Sequence, residues 1–474
     1  MHWIAELRLL ARETALVPAA ALLAALSAFA VWGGLDWLEA RERVAQETRA
    51  EHKRDLAWVA EGFAALARGE RVRRDPSNPM NAVGRVRPVV VEPSPALLWS
   101  ATGTRELHPP AWAATDRRVG ELPPDEPRSP SLLANGRFDL DFLVTLLLPW
   151  FAILLAHRLA SGERESGRWA MLTGHARRPW LVISRRAALG AAVLAASATC
   201  AVALTLLARG RATGDALAGL AAWSGVVLLV LAFWTALALA VGALGRSSTF
   251  NLGVLAFAWV LLCWAIPVAT AELAVAVHPT EDRTAIARRA RSESGALWQR
   301  RGEIARQTFA SHGFDSAEIE SALADKTRAG DIERLAFSLE FPRQLGSHSA
   351  ELDAQRERRH KLEALAVFAS PAFAAHAALL DIAGSAPRHR RALEDQAQLE
   401  FERWKLALIR RVVARDALEA TEYDALFELA TAQAVELPPT RSPWLALGAW
   451  AVAALLGAWF FVARSAPDRL LRRT

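Results

Sequence analysis

The sequence predicts a mainly α membrane protein in which six transmembrane helices carry two extracytoplasmic domains, the first α+β and the second mostly α. Three observations predict it. Of 474 residues, 53% are hydrophobic, yet 22% are charged. One chain holds both only by segregating them along its length. Six apolar runs reach the roughly 20 residues that a helix needs to cross the hydrocarbon core, and two long polar stretches separate them asymmetrically.

Residues 1–15 read as an amphipathic helix, Trp3-Ile4-Ala5-Glu6-Leu7-Arg8-Leu9-Leu10, suited to lie in the membrane interface. The first span, 16–35, is almost free of polar side chains. Ser27-Ala28-Phe29-Ala30 offers the small-x-small pattern of a signal-peptidase site. The long charged leader and an apolar stretch of full membrane thickness favour a retained anchor instead.

The first outer domain, 36–138, begins with a charged helix from about Leu35 to Arg68. It continues into a Pro-rich extended stretch where Val89-Val90-Val91 suggests a strand. Span two covers 140–159, followed by a polar loop over 160–186. Spans three, four and five cover 187–207, 217–244 and 250–271, the last ending near Pro267. In span three Ala187, Ala191, Ala195 and Thr199 form one small-residue row, and Ala188, Ala192, Ala196 and Cys200 a second. Such rows either let helix backbones approach or reflect an alanine-rich composition.

The second outer domain, 277–441, reads as helical. Leu362, Leu365, Phe368 and Ala369 share a face, as do Leu406, Ile409, Val412 and Val413. Span six covers 443–463 and the tail 464–474. Trp32, Trp37, Trp150 and Trp444 stand near span ends, where amphipathic rings anchor helices.

Orientation follows from arginines in short loops. The 160–186 loop, with Arg164, Arg168, Arg177, Arg178, Arg185 and Arg186, and the tail, with Arg464, Arg469, Arg472 and Arg473, predict cytoplasmic placement for both and for both termini. Arg209 and Arg211, between spans three and four, dissent locally.

Several chemistries are excluded. None of the four lysines follows a glycine, so no P-loop is present, and neither H-E-x-x-H nor G-x-S-x-G occurs. The two cysteines, Cys200 and Cys263, lie inside apolar runs and form no disulfide framework. The net charge of +6 is spread along the chain, which argues against nucleic acid as a partner. The span interiors carry essentially no ionisable residue, and Asp139, Asp141 and Glu272 sit at span ends, where a snorkelling or capping role is expected.

The informative segment is the loop after span two. Glu163-Arg164-Glu165-Ser166-Gly167-Arg168-Trp169 leads through a short charged helix to Arg177-Arg178-Pro179 and the next span. It is a polar protrusion wedged between membrane helices, suited to docking a cytoplasmic partner.

This E-x-x-x-G loop resembles the coupling element of the ABC-2 type permeases, the membrane subunits of one class of ATP-binding-cassette transporter. The amphipathic N-terminal segment is similar to that family's elbow helix. Ser370-Pro371-Ala372-Phe373 with Ala383-Gly384-Ser385 resembles a branch with large outer domains, as do Pro95-Ala96-Leu97-Leu98-Trp99, Gly103 and Asp139-Leu140-Asp141. Permeases of that branch are linked to copper-enzyme maturation, and others to export of peptides, lipids or drugs.

The resemblance implies a subunit in the bacterial inner membrane with no catalytic residues and no cofactor or metal of its own. ATP and Mg would be bound by a partner ABC ATPase present in two copies, and a second permease, identical or paralogous, would complete the complex. ATPase docking is expected at Glu163, Arg164, Glu165, Gly167, Arg168, Trp169, Arg177 and Arg178. The alternative is a membrane-anchored extracytoplasmic binding or sensory protein without transport activity. No inside segment is large enough for the signalling domain such a protein would need.

Overall fold

The computed structural model describes residues 15–79, 81, 86, 89–113, 137–176, 178–279, 283–326, 328–340, 358, 361–362, 365–414, 416–426, 430–431 and 440–465. The N-terminal amphipathic segment, Arg177 and the end of the basic tail lie outside them. Among the described residues six helices are long and apolar enough to cross a membrane. They are α1 (Leu16–Ala67), α2 (Leu140–Glu165), α4 (Pro179–Ala208), α5 (Gly214–Gly242), α6 (Ser248–Val277) and α13 (Arg441–Arg464), with the short α3 (Arg168–His175) following α2.

The first span and the charged helix after it are a single element. At 1.5 Å per residue, the 52 residues of α1 extend about 78 Å, well over twice the hydrocarbon thickness. Nothing in Leu16–Ala67 breaks it. Gly33-Gly34 stays helical, and Gly34 is needed for packing, since a Cβ there would lie 2.1 Å from the Trp99 carbonyl oxygen.

The two alanine rows of α4 part company. Ala187 and Ala195 are buried, with Ala191 and Thr199 partly so, whereas Ala188, Ala192, Ala196 and Cys200 face outward. The buried row serves close approach of helices, and Thr199 exchanges a 3.1 Å hydrogen bond with Ser224 of α5.

One helix enters the bundle without crossing it. After α7 (Arg283–Gln299), α8 (Arg301–Ser311), α9 (Ser316–Ala324) and a helix over 329–340, α10 (Pro371–Ala383) packs among α2, α5, α6 and α13. Its N-cap Ser370 accepts hydrogen bonds from the Ala372 and Phe373 N–H groups and donates to the Leu262 carbonyl, halfway along α6. The helical face expected from Leu362, Leu365, Phe368 and Ala369 is not used as such. The chain turns over 367–369, and Leu365 and Phe368 are exposed while Ala366 and Val367 are buried. Pro371 accounts for this, because a proline drives the residue before it out of the helical region.

The two polar insertions form a joint body. β1 (Val89–Val91) pairs antiparallel with β2 (Ala111–Ala113) and parallel with β3 (Ala430–Thr431), so the sheet order is β2-β1-β3 and the third strand comes from the second insertion. Val59 of α1 shares a core with Trp404 and Leu408 of α11 (Pro387–Ala414) and with Tyr423 of α12 (Ala420–Leu426). Tyr423 donates to the Pro76 carbonyl at 2.6 Å. A satellite core takes Ile409, Val412 and Val413, with Leu406 packed against it, as their spacing indicated.

At the base of this module lies a buried charge network. Arg41 of α1 pairs with Glu92 and donates to the carbonyls of Arg105 (3.0 Å) and His108 (2.7 Å). Arg105 approaches the second Glu92 oxygen at 3.3 Å. Removing one partner of such a network strands the others. Glu92→Gln should therefore cost about 3–5 kcal/mol, read as a marked fall in the thermal unfolding midpoint of the purified full-length protein. An unchanged midpoint would show that the network is not structural.

Candidate functional site

The bundle has two dissimilar ends. At the end bearing the polar module, the turn between α4 and α5 brings Arg209 to 2.8 Å from both Asp36 and Glu39, and Arg211 to 2.8 Å from Glu42. These hydrogen bonds hold both guanidinium groups above their ordinary pKa. The local excess of arginine in that turn is thus neutralised by carboxylates of α1.

At the opposite end, α2 finishes in a short helix, Ser161–Glu165. The chain reverses at Gly167, whose φ of +74° is the left-handed conformation glycine adopts without strain, and α3 begins at once. Pro179 then opens α4 in the first-turn position, where a missing N–H costs nothing.

Three consecutive side chains fasten this loop to three spans. Glu163 pairs with Arg168 at 2.9 Å and with Arg186 of α4 at 3.1 Å. Arg164 donates to the Gly242 carbonyl at the end of α5 at 3.0 Å and stacks on Trp169 and Trp180, 4.6 and 5.5 Å from the ring centres. Glu165 accepts from the backbone N–H (2.6 Å) and hydroxyl (2.8 Å) of Ser248 at the start of α6. A carboxylate suits a helix N-terminus, where unpaired N–H groups carry partial positive charge. Beneath them Ala160, Trp180, Ile183 and Ala243 form a small core against which Val462 of α13 packs.

Of the residues expected to dock a partner, Glu163, Arg164 and Glu165 are thus engaged with the chain's own spans. Gly167 makes the bend. Trp169 is half-buried against Arg164, while Arg168 and Arg178 are exposed, and Arg177 lies outside the described residues. The exposed residues of α3 are Arg168, which is paired to Glu163, and Ala170, Met171, Thr173, Gly174 and His175, with Met171 66% exposed. Sequence reasoning missed Met171, Ser248 and Gly242. Ser247-Ser248 after Gly245-Arg246 carries a helix-start signal, but nothing in it names Glu165 as its partner.

The chain belongs to the ABC-2 family of transporter proteins, whose family model matches residues 38–464. That family in general supplies membrane subunits without an ATPase site of their own. No curated protein and no solved structure matches the chain.

The fastening of α6 is open to direct measurement. Glu165→Ala should raise amide hydrogen exchange several-fold across Ser248–Asn251 and leave the middle of α6 unchanged. Equal protection in the variant and the native protein would mean that Glu165 does not hold that helix end.

Proposed function

We propose that this chain is the permease subunit of an ATP-binding-cassette transporter. It couples ATP hydrolysis by separate ATPase subunits to substrate export or to a change in the outer module. The observation that carries this reading is the division of labour in the α2–α3 loop. One face is exposed, and the other is bonded to α4, α5 and α6. A partner that moves α3 displaces three spans together, because the side chains at the end of α2 are bonded directly to each of them.

In this reading the ATPase grips the exposed face of α3, with Met171 entering an apolar hollow and Arg178 meeting carboxylates. Glu163, Arg164 and Glu165 transmit the displacement rather than make the contact. ATP and Mg reside in the partner, which is present in two copies, and a second permease, identical or related, completes the assembly. Gly167 lets α3 tilt as a unit on the end of α2.

The clamped end is the cytoplasmic one in the bacterial inner membrane, both termini lie there, and the outer module is periplasmic. The charge distribution supports this sidedness. Arg158, Arg178 and Arg246 are exposed at the clamped end, whereas Arg209 and Arg211 opposite are paired with carboxylates of α1.

Two variants separate docking from transmission. Met171→Asp should weaken binding of the partner ATPase roughly tenfold or more, as loss of an interface anchor does. The Glu163→Ala/Glu165→Ala pair should bind ATPase normally yet lose coupling between hydrolysis and transport in reconstituted vesicles. Loss of ATPase binding in the carboxylate pair, with none in Met171→Asp, would reverse the assignment.

A further inference from the structure

Where α2 meets the outer module and α10, the structure holds a cavity of about 420 Å³, within the range of small-molecule sites. The titratable and charged groups around it come from four directions. Glu106 and Arg137 belong to the outer module, Asp139 and Asp141 to the start of α2, Cys263 to α6 and His376 to α10. Phe142, Leu146 and Phe373 supply apolar wall.

The charges do not cancel. Arg137 is committed to Glu106 at 3.1 Å and to the Gly33 carbonyl at 3.1 Å. His376 is committed to Asp141 Oδ2 at 2.6 Å. Among the described residues Asp139 accepts from backbone N–H groups alone, those of Phe142 at 2.9 Å and Thr102 at 3.2 Å. It has no counter-cation within hydrogen-bond reach among the described residues. Asp141 Oδ1 is buried with no hydrogen-bond partner among the described residues. A buried carboxylate oxygen left unpaired costs the full desolvation of that atom. A wall with surplus negative charge, an orphan acceptor and aromatic flanks is complementary to one kind of guest.

We propose that this cavity binds a protonated amine carrying a compact apolar body. Its ammonium donates to Asp141 Oδ1 beside Asp139, and its apolar part rests on Phe142, Leu146 and Phe373. A neutral molecule of the same shape leaves the orphan oxygen unanswered. An ammonium supplies both the missing donor and the missing charge, and charge-assisted bonds of this kind are the strong ones.

Two resident groups tune the site in the same direction. Burial, followed by the neighbouring Asp141, pushes the Asp139 carboxyl up to about 6. For His376 burial works against the charged ring, but Asp141 and Asp139 outweigh it and hold the imidazole above its ordinary pKa. Lowering the pH protonates Asp139 and removes negative charge from the wall. Raising it discharges His376, the resident cation that competes for Asp141. Amine affinity therefore rises with pH.

As the substrate class of a permease the assignment rests on the reading above. As a binding site it is tested without any ATPase, so the two can fail separately. Calorimetric titration of the full-length protein in lipid nanodiscs would use phenethylamine against 2-phenylethanol, its neutral counterpart. Saturable amine binding is expected, with the alcohol at least about tenfold weaker. Asp141→Asn should weaken the amine roughly tenfold to a hundredfold. His376→Gln should strengthen it several-fold, an outcome that a misfolded variant does not mimic. Affinity of the native protein should fall between pH 7.5 and 5.5. Equal binding of amine and alcohol would reduce the cavity to an apolar hollow and overturn the proposal. So would amine affinity indifferent to both His376→Gln and pH.

Discussion

Within a hydrocarbon layer every backbone N–H and C=O must find its partner inside the protein, and the least ordinary features of this bundle answer to that demand. Helix α10 places its N-terminus midway along α6, where exposed amides would be expensive. Pro371 removes one N–H, and Ser370 caps those of Ala372 and Phe373. In return its hydroxyl donates to Leu262, which lies in a π-helical turn, Val260–Ala265. In that turn the carbonyl of residue i faces the N–H of residue i+5, and the residue five beyond Leu262 is Pro267, which has none. The orphan acceptor on α6 and the hydroxyl on α10 complete each other. A second π turn, Leu143–Leu147 in α2, offers the Leu146 carbonyl to the Trp259 indole at 3.0 Å. Wide turns of this kind cluster at functional sites, and both of these border the outer cavity.

The polar module obeys a related rule. Its base buries Arg41, Glu92 and Arg105, and such charges persist only when each is answered. The answers come from distant parts of the chain. α1 supplies Arg41, the stretch after β1 and the segment near residue 105 supply the rest, and the second insertion adds a strand alongside. Because α1 runs unbroken from the bundle into this module, any tilt of its membrane half carries the outer half with it.

Much of this was legible beforehand and some was not, for physical reasons. Apolar runs long enough to cross a bilayer announce themselves by length alone, and Val89-Val90-Val91 by β-branching. The E-x-x-x-G loop was legible as a place but not as a geometry. Spacing shows that Glu163, Arg164 and Glu165 are adjacent, not that each reaches a different span. Helix α10 was hidden because 13 residues are too few for a span, so His376 was read as part of a solvated domain. Its partner Asp141 looked like a cap for the same reason. β3 is two residues long, and its pairing with β1 joins positions some 340 apart, beyond any local pattern.

Helix α6 ties these features together. Its first turn is held by Glu165 from the clamped end, its middle by Ser370 of α10, and its Trp259 by the backbone of α2. α10 in turn carries His376, which grips Asp141 at the outer end of α2. A displacement entering at the α2–α3 loop therefore meets a series of direct bonds leading to the cavity at the far end of α2. A coupling route is established only when both sites bias the same two-state element, and α2 and α6 are the spans that touch both. In the proposed permease this makes the π turn around Leu262 the natural hinge. It already lacks one backbone hydrogen bond, so it bends at lower cost than the regular helix on either side.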